Sequence, residues 1–356
     1  HGIGPAPCDA AGDHEPAVPK GNVRQVWSLG VPALAGLALL VLAPLVFNFA
    51  GLFNITVYVI MALLALSLAL VWGFGGIICF GQAAFFGLGA YGYAIAVINF
   101  GDSTLPILIA MALPALFAAA FGYFLFYGRL SDVYLGVMTL VATLILFKLI
   151  SSTGGSNYKI GAALLGGYNG IPGIPPINLP GDSTVFLGLE GQFYFATSVL
   201  IVVYFGLRAL LASDFGRVVV AIRENELRAE LLGYDIRRYK LAVFVLGAVL
   251  AGLAGCLYAV WGGYVSPDVF GLAMTAQILM WIIVGGIGTL IGPIVGAFLL
   301  QILVTEIGAL QVFNSYLVLG VVLIVFVSFA PQGIVPLANT TLSALMRRFG
   351  RGTGPR

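Results

Sequence analysis

Along most of this chain apolar residues come in unbroken runs, separated by short polar joints. Several runs approach the roughly 20 largely apolar residues that one helical crossing of a bilayer needs. They fall at 27–47, 52–72, 83–99, 105–127 and 133–150, then at 193–211, 241–261, 272–287, 290–307 and 311–330. The runs are continuous, without the every-other-residue alternation of membrane strands, so the pattern excludes a closed barrel. It predicts an all-α fold, a polytopic membrane helix bundle with about ten transmembrane helices. The runs flanking residues 285–288 also allow a single re-entrant unit.

The polar joints divide the rest. Residues 1–26 are rich in Pro, Gly and acidic side chains and lack an apolar stretch, which predicts a disordered polar leader and not a signal peptide. The chain opens on His1 without a methionine, so the true N-terminus stays open. The transmembrane domain is expected over 27–331, with a long loop at 151–192, a charged loop at 212–240 and a basic tail at 332–356. On this map all of the 16 basic residues except Lys148 and Lys159 fall on one side. The positive-inside rule makes that side cytoplasmic, both termini included. The loop at 151–192, full of Gly, Pro and Asn, then reads as an external cap, either a docking surface or a passive connector.

Composition narrows the function. The chain is 60% hydrophobic and 8% charged, where a soluble domain carries about a quarter charged residues. Its partner is therefore the lipid bilayer, and a net charge of +2 gives no reason to invoke nucleic acid. Cys8, Cys79 and Cys256 have no metal-ligand spacing and read as small apolar residues. None of the lysines, Lys20, Lys148, Lys159 and Lys240, follows a glycine, so there is no P-loop. The histidines, His1 and His14, both lie in the leader, which argues against a metal-dependent intramembrane protease. Lys148 and Glu306 sit near the outer ends of their runs, where they can snorkel to the interface. With no deep charged relay, the energy source is expected on another chain, and no cofactor is expected on this one.

Glycine is where the spans stand out. "GFGGIICFGQAAFFGLGAYG", from Gly73 to Gly92, holds seven glycines, and "VGGIGTLIGPIVGAFL", from Val284 to Leu299, holds five with Pro293. Small residues let helices pack closely. Paired Gly/Pro-interrupted segments also mark broken helices around a solute path. Both readings stand, and the candidate path or gate residues are Gly75, Gly76, Gln82, Phe85, Phe86, Gln277, Gly285 and Gly286.

The run "SDFGRVVVAIRENELRAELLGYDIRRYKL", Ser213 to Leu241, holds eleven charged side chains in an otherwise oily chain. Ser213 is a natural helix cap with Asp214 in the first turn, and Gly233 is a natural stop. Glu224 and Arg228 have the spacing of a helical ion pair. Val220, Leu227 and Leu231 are expected near one face, interrupted by Glu224. Such a helix is either a solvated surface or an element that docks into a groove on a soluble partner.

Those residues carry a resemblance. "GRVVVAIRENELRAELLGYDIRRYKLAVFVLGAVLAGLAGCLYA", with "GYVSPDVF", "VGGIGTLIGPIVGA" and "FGQAAFFGLGAYG", strongly resembles permease subunits of bacterial branched-chain amino-acid ABC importers. The likeness runs from about residue 52 to 331, and the family also includes permeases for urea and short amides. It implies an ABC importer permease fold in the bacterial inner membrane. The implied partners are a second homologous permease, two cytoplasmic ATPases that hold ATP and Mg, and a periplasmic solute-binding protein. It implies that Arg223, Glu224, Glu226, Ala229 and Gly233 form the ATPase-coupling element, three of them in the spacing E-x-x-A-x-x-x-G. Many relatives have His where this chain has Gln82, so a titrating role there is not expected. A urea or amide importer permease is the alternative within the family. A passive channel or ion-coupled carrier is the alternative outside it.

Overall fold

The structure, a computed structural model, describes residues 36–128, 131–155, 157–179, 182–310, 320, 321, 324 and 333–337. The expected leader, most of the last apolar run and most of the basic tail lie outside these residues. The described chain is mostly helical. In order the helices are α1 (Gly36–Val46), α2 (Phe49–Leu68), α3 (Gln82–Phe100), α4 (Thr104–Tyr127), α5 (Asp132–Ser151) and α6 (Leu189–Ala212). They continue with α7 (Asp214–Glu224), α8 (Glu226–Leu231), α9 (Ile236–Gly262), α10 (Leu272–Gly285) and α11 (Ile291–Leu310).

Among the described residues, seven helices are long and apolar enough to cross a membrane: α2 to α6, α9 and α11. Two more, α1 and α10, are apolar but shorter. The expected tenth crossing, 311–330, lies almost wholly outside the described residues. At 14 residues α10 rises about 21 Å, less than the roughly 30 Å of a hydrocarbon core. It then turns back into α11 rather than continuing.

The helices differ in what they bury. In its most apolar stretch α2 is 94% buried, against 22% for α5, which makes α2 central and α5 peripheral. Next to α2 runs α9, which absent side chains bring close to α3 and α4. A Cβ at Gly252 would overlap the Ala110 carbonyl of α4, and one at Gly255 would overlap the Phe86 carbonyl of α3. Small residues let the backbones approach, and dispersion between them then holds the helices.

The loop after α5 contains short strands and a 3-10 turn. It holds β1 (Lys159–Ile160) paired antiparallel with β2 (Ala163–Leu164), and β4 (Asn178–Leu179) paired with β5 (Asp182–Phe186). Between them β3 (Ile171–Pro172) pairs with β6 (Tyr264–Val265), which follows α9. The next helix starts at Leu189, before the expected limit of 192. Two asparagines clamp this cap to the α3–α4 turn. Asn99 Nδ2 donates to the Ile160 carbonyl at 3.0 Å and its Oδ1 accepts from Ala162 N at 2.8 Å. Asn178 Oδ1 accepts from Ser103 N at 2.8 Å, and Nδ2 donates to Asp102 at 2.9 Å. That amide holds the Asp102 carboxyl below its ordinary range.

Candidate functional site

The first glycine-rich segment is a true break. After Leu68 the helix widens into a π-turn, Ala69–Phe74, and the chain then runs without helix to Gln82. π-turns of this kind are frequent at functional sites. Irregular backbone at membrane depth survives only where protein or a water-filled cavity satisfies it, and here side chains from distant elements do so. Thr139 of α5 accepts from Phe80 N at 3.1 Å, and Arg223 of α7 donates to the Gly73 carbonyl at 2.6 Å. Gly76 has φ +68°, which strongly favours glycine.

Gln82, at the start of α3, is buried and ties three helices. Its Nε2 donates to Ser67 Oγ of α2 at 2.8 Å and to the Gly247 carbonyl of α9 at 3.1 Å, while Oε1 accepts from the Cys79 thiol. Phe85 is buried edge-on against Phe244, with ring centres 5.2 Å apart. Phe86 packs on Tyr258 at 5.3 Å.

The second segment is also a break, built differently. The turn at Gly286 reverses the chain, and α10 meets α11 backbone to backbone. A Cβ at Gly285 would overlap the Gly292 carbonyl, and one at Gly296 would overlap the Trp281 carbonyl. The two breaks touch each other: a Cβ at Gly73 would lie 3.3 Å from Gly288 N.

The charged stretch is two helices rather than one. Ser213 caps α7 by accepting from Gly216 N at 3.4 Å, as its position predicts. The helix then stops at Asn225, whose extended backbone starts α8 and whose Oδ1 accepts from Arg228 N at 2.9 Å. Asn side chains offer the backbone such an alternative to a continuous helix. Glu224 and Arg228 therefore fall on different helices, and their expected helical ion pair has no geometry to form in. The buried face is also not the expected one. Gly216, Val219 and Ile222 face the bundle from α7, and Ala229 alone does so from α8. Leu227, Leu231 and Leu232 are 67%, 79% and 76% exposed.

The E-x-x-A-x-x-x-G spacing has a structural account at each residue. Glu226 pairs with Lys240 Nζ at 2.5 Å, which fastens α8 to the start of α9. Ala229 is the small residue pressed against the body. Gly233 has φ +90° and closes α8, with Gly233 N donating to the Glu230 carbonyl and Tyr234 N to that of Ala229. That pair of bonds is the Schellman helix stop.

At the cap end of the bundle lies a cleft of about 480 Å³. Its walls include Phe53, Met61, Phe86, Tyr258 and Trp261, and its neutral polar groups come from Asn54, Gln277, Gln301 and Thr305, with Asp268 also lining it. The volume is that of a small-molecule site, and the lining combines apolar walls with a few polar groups, as such sites do. Two of the candidate path residues, Phe86 and Gln277, share this cleft. Gln82 does not, and Gly75, Gly76, Gly285 and Gly286 lie toward the α7–α8 end.

Residues 50–327 match the family described as the branched-chain amino acid transport system / permease component. The chain belongs to that family. This permease is 30% identical to the high-affinity branched-chain amino acid transport system permease protein LivM of Escherichia coli K12, over 92% of its own length and 79% of the relative's. The high-affinity branched-chain amino acid transport system permease protein BraD of Pseudomonas aeruginosa is 29% identical over 79% of this chain and 93% of its own. A more distant likeness, 28% over 65% of this chain and 55% of the relative, is to the xylose transport system permease protein XylH of Escherichia coli K12. No solved structure matches the permease. With its apolar helices, family membership makes it a multi-pass integral membrane protein.

Sequence reasoning on this permease passed over Thr139 entirely. A lone Thr in an apolar helix carries no signal, because its partner is set by packing 59 residues away. Leu227 and Leu231 were visible as apolar residues in a charged run, but their outward direction depends on the break at Asn225.

Proposed function

We propose that this permease forms half of the translocation path of an ATP-driven importer for branched-chain or other neutral amino acids. It works beside a second homologous permease, with two cytoplasmic ATPases and a periplasmic solute-binding protein. ATP and Mg belong to the ATPases, and this chain carries transport rather than catalysis. The bacterial inner membrane is its place, with both termini cytoplasmic. One observation carries the coupling role: Leu227 and Leu231 of α8 and Leu232 just after it stand exposed, on a loop otherwise dense with charge. An apolar knob of this kind fits a groove on a soluble partner.

In this reading Arg223, Glu224, Glu226, Ala229 and Gly233 build and hold the coupling element, while the leucines make the contact. The cleft at the cap end receives solute from the binding protein. Its neutral amides exchange hydrogen bonds with a polar backbone, and its aromatic and Met walls take an aliphatic side chain. The test is solute-stimulated ATP hydrolysis by the reconstituted complex. Replacing Leu227 and Leu231 together by Asp brings stimulation down to the basal rate. Full stimulation in that variant overturns the coupling role. Calorimetry on the cognate binding protein with leucine, urea and short amides decides the solute class.

A further inference from the structure

We propose that Arg223 is a strut that holds the two glycine breaks together, so that a displacement of α7–α8 is delivered at the Gly73–Gly288 contact. The inference rests on the coupling role of α7–α8 given above and adds the route by which motion enters the bundle. Arg223 stands in the last turn of α7, and both ends of its side chain are engaged. Its stem lies on the first break: a Cβ at Gly76 would come within 3.0 Å of Arg223 Cγ and 3.4 Å of its Cα. Its guanidinium reaches past that glycine, and Nη1 donates to the Gly73 carbonyl at 2.6 Å. The same fork lies along the second break, with Nη1 and Nη2 at 3.4 and 3.8 Å from the Cβ position of Gly288.

The chemistry of the two chain ends explains why a cation belongs there. Gly73 lies near the end of the π-turn that finishes α2, and Gly288 follows the end of α10. Helix C-termini leave carbonyls without intrahelical partners and carry partial negative charge. A guanidinium placed here donates to the first end at the Gly73 carbonyl and lies against the second at Gly288, with a planar fork that a lysine cannot imitate. Glycine at 76 keeps the space clear for its stem, and glycine at 73 does the same for the Gly288 backbone.

The mechanical argument follows from burial. Three residues of α7, Gly216, Val219 and Ile222, are buried against the bundle, whereas α8 buries only Ala229 and is otherwise tied to α9 by the Glu226–Lys240 pair at its surface. A partner gripping α8 therefore pulls first on the end of α7 that bears Arg223. Arg223 is a positioning residue, since it touches the broken helices and not the solute.

The experiment uses the complete complex in vesicles and reads solute taken up per ATP hydrolysed. Arg223→Ala is expected to lower that ratio about tenfold, within the usual range of a coupling free energy. Arg223→Lys keeps the charge and recovers part of the ratio. A ratio in Arg223→Ala equal to that of the unaltered complex overturns the proposal. Where Arg223→Ala fails to assemble, Arg223→Lys decides: a severalfold loss supports the strut and an unchanged ratio overturns it. The Leu227/Leu231 variant separates this from the underlying reading. If that variant loses stimulation while Arg223→Ala transports normally, the coupling loop stands and only the strut falls.

Discussion

Between α2 and α3, irregular backbone is held by side chains sent from elsewhere: Thr139 from α5, Arg223 from α7, and Gln82 reaching back to α2 and α9. Between α10 and α11 the turn is held by bare backbone, with Gly285, Gly292 and Gly296 in direct apposition. There a single local side chain helps, as Thr289 Oγ1 accepts from Gly292 N at 3.1 Å. In sequence the two segments look alike, since both are apolar and glycine-rich. Their physics differs: in one, glycine clears space for other residues, and in the other, glycine is itself the contact surface. The second break should therefore fail when a glycine is changed, and the first when one of its distant partners is changed.

The largest expected effect is at the second break. Gly285→Ala places a methyl onto the Gly292 carbonyl, and both sides of the clash are backbone that cannot rotate away. Overpacking of a well-packed core costs up to about 3 kcal/mol and occasionally more, so thermal unfolding in detergent should show a strongly destabilised or unassembled protein. An unchanged unfolding temperature would mean that α10 and α11 are not in backbone contact, and the contrast between the breaks would disappear.

A smaller loss is expected at the first break from Gln82→Leu. The change keeps volume but removes both donors, and the Gly247 carbonyl of α9 is left without that partner. Two hydrogen bonds at a buried junction are lost, at about 1 kcal/mol net each. The same unfolding measurement should rank this variant between Gly285→Ala and the unaltered protein. A neutral result would show that Gln82 does not tie the three helices.

How far the sequence reached can be seen at these positions. The crossing expected at 83–99 is α3, Gln82–Phe100, because lipid leaves an apolar run of that length few other options. The Ser213 cap and the Gly233 stop were legible because each is a local motif whose partners lie within five residues. The break at Asn225 was missed because charge spacing gave one continuous helix and outweighed a single capping residue. The reach of Arg223 to Gly73 spans 150 positions, and no local pattern records it. The π-turn at 69–74 is likewise a product of packing, since "ALVWGF" has no helical irregularity of its own until its glycine. Gln82 and Gln277 both stand among the candidate path residues, and the fold sends one to a helix junction and the other to a cleft.

The smallest effect isolates one stitch. Thr139 is 2% exposed on α5, one of the least buried long helices, and its hydroxyl donates to the Gly136 carbonyl at 2.8 Å while accepting from Phe80 N at 3.1 Å. The side chain also packs on Gly81, whose Cβ position is 2.8 Å from Thr139 Cβ. Thr139→Val fills the same volume and keeps that packing, so what it removes is the acceptor for Phe80 N. The loss should be about 1 kcal/mol, the net worth of one hydrogen bond. Thr139→Ser, which keeps the hydroxyl, should restore most of it. Hydrogen exchange at the Phe80 amide gives the sharper reading, because the Val variant should exchange faster there than at amides within α3 while the Ser variant does not. Equal protection in all three proteins would show that Thr139 does not hold the first break.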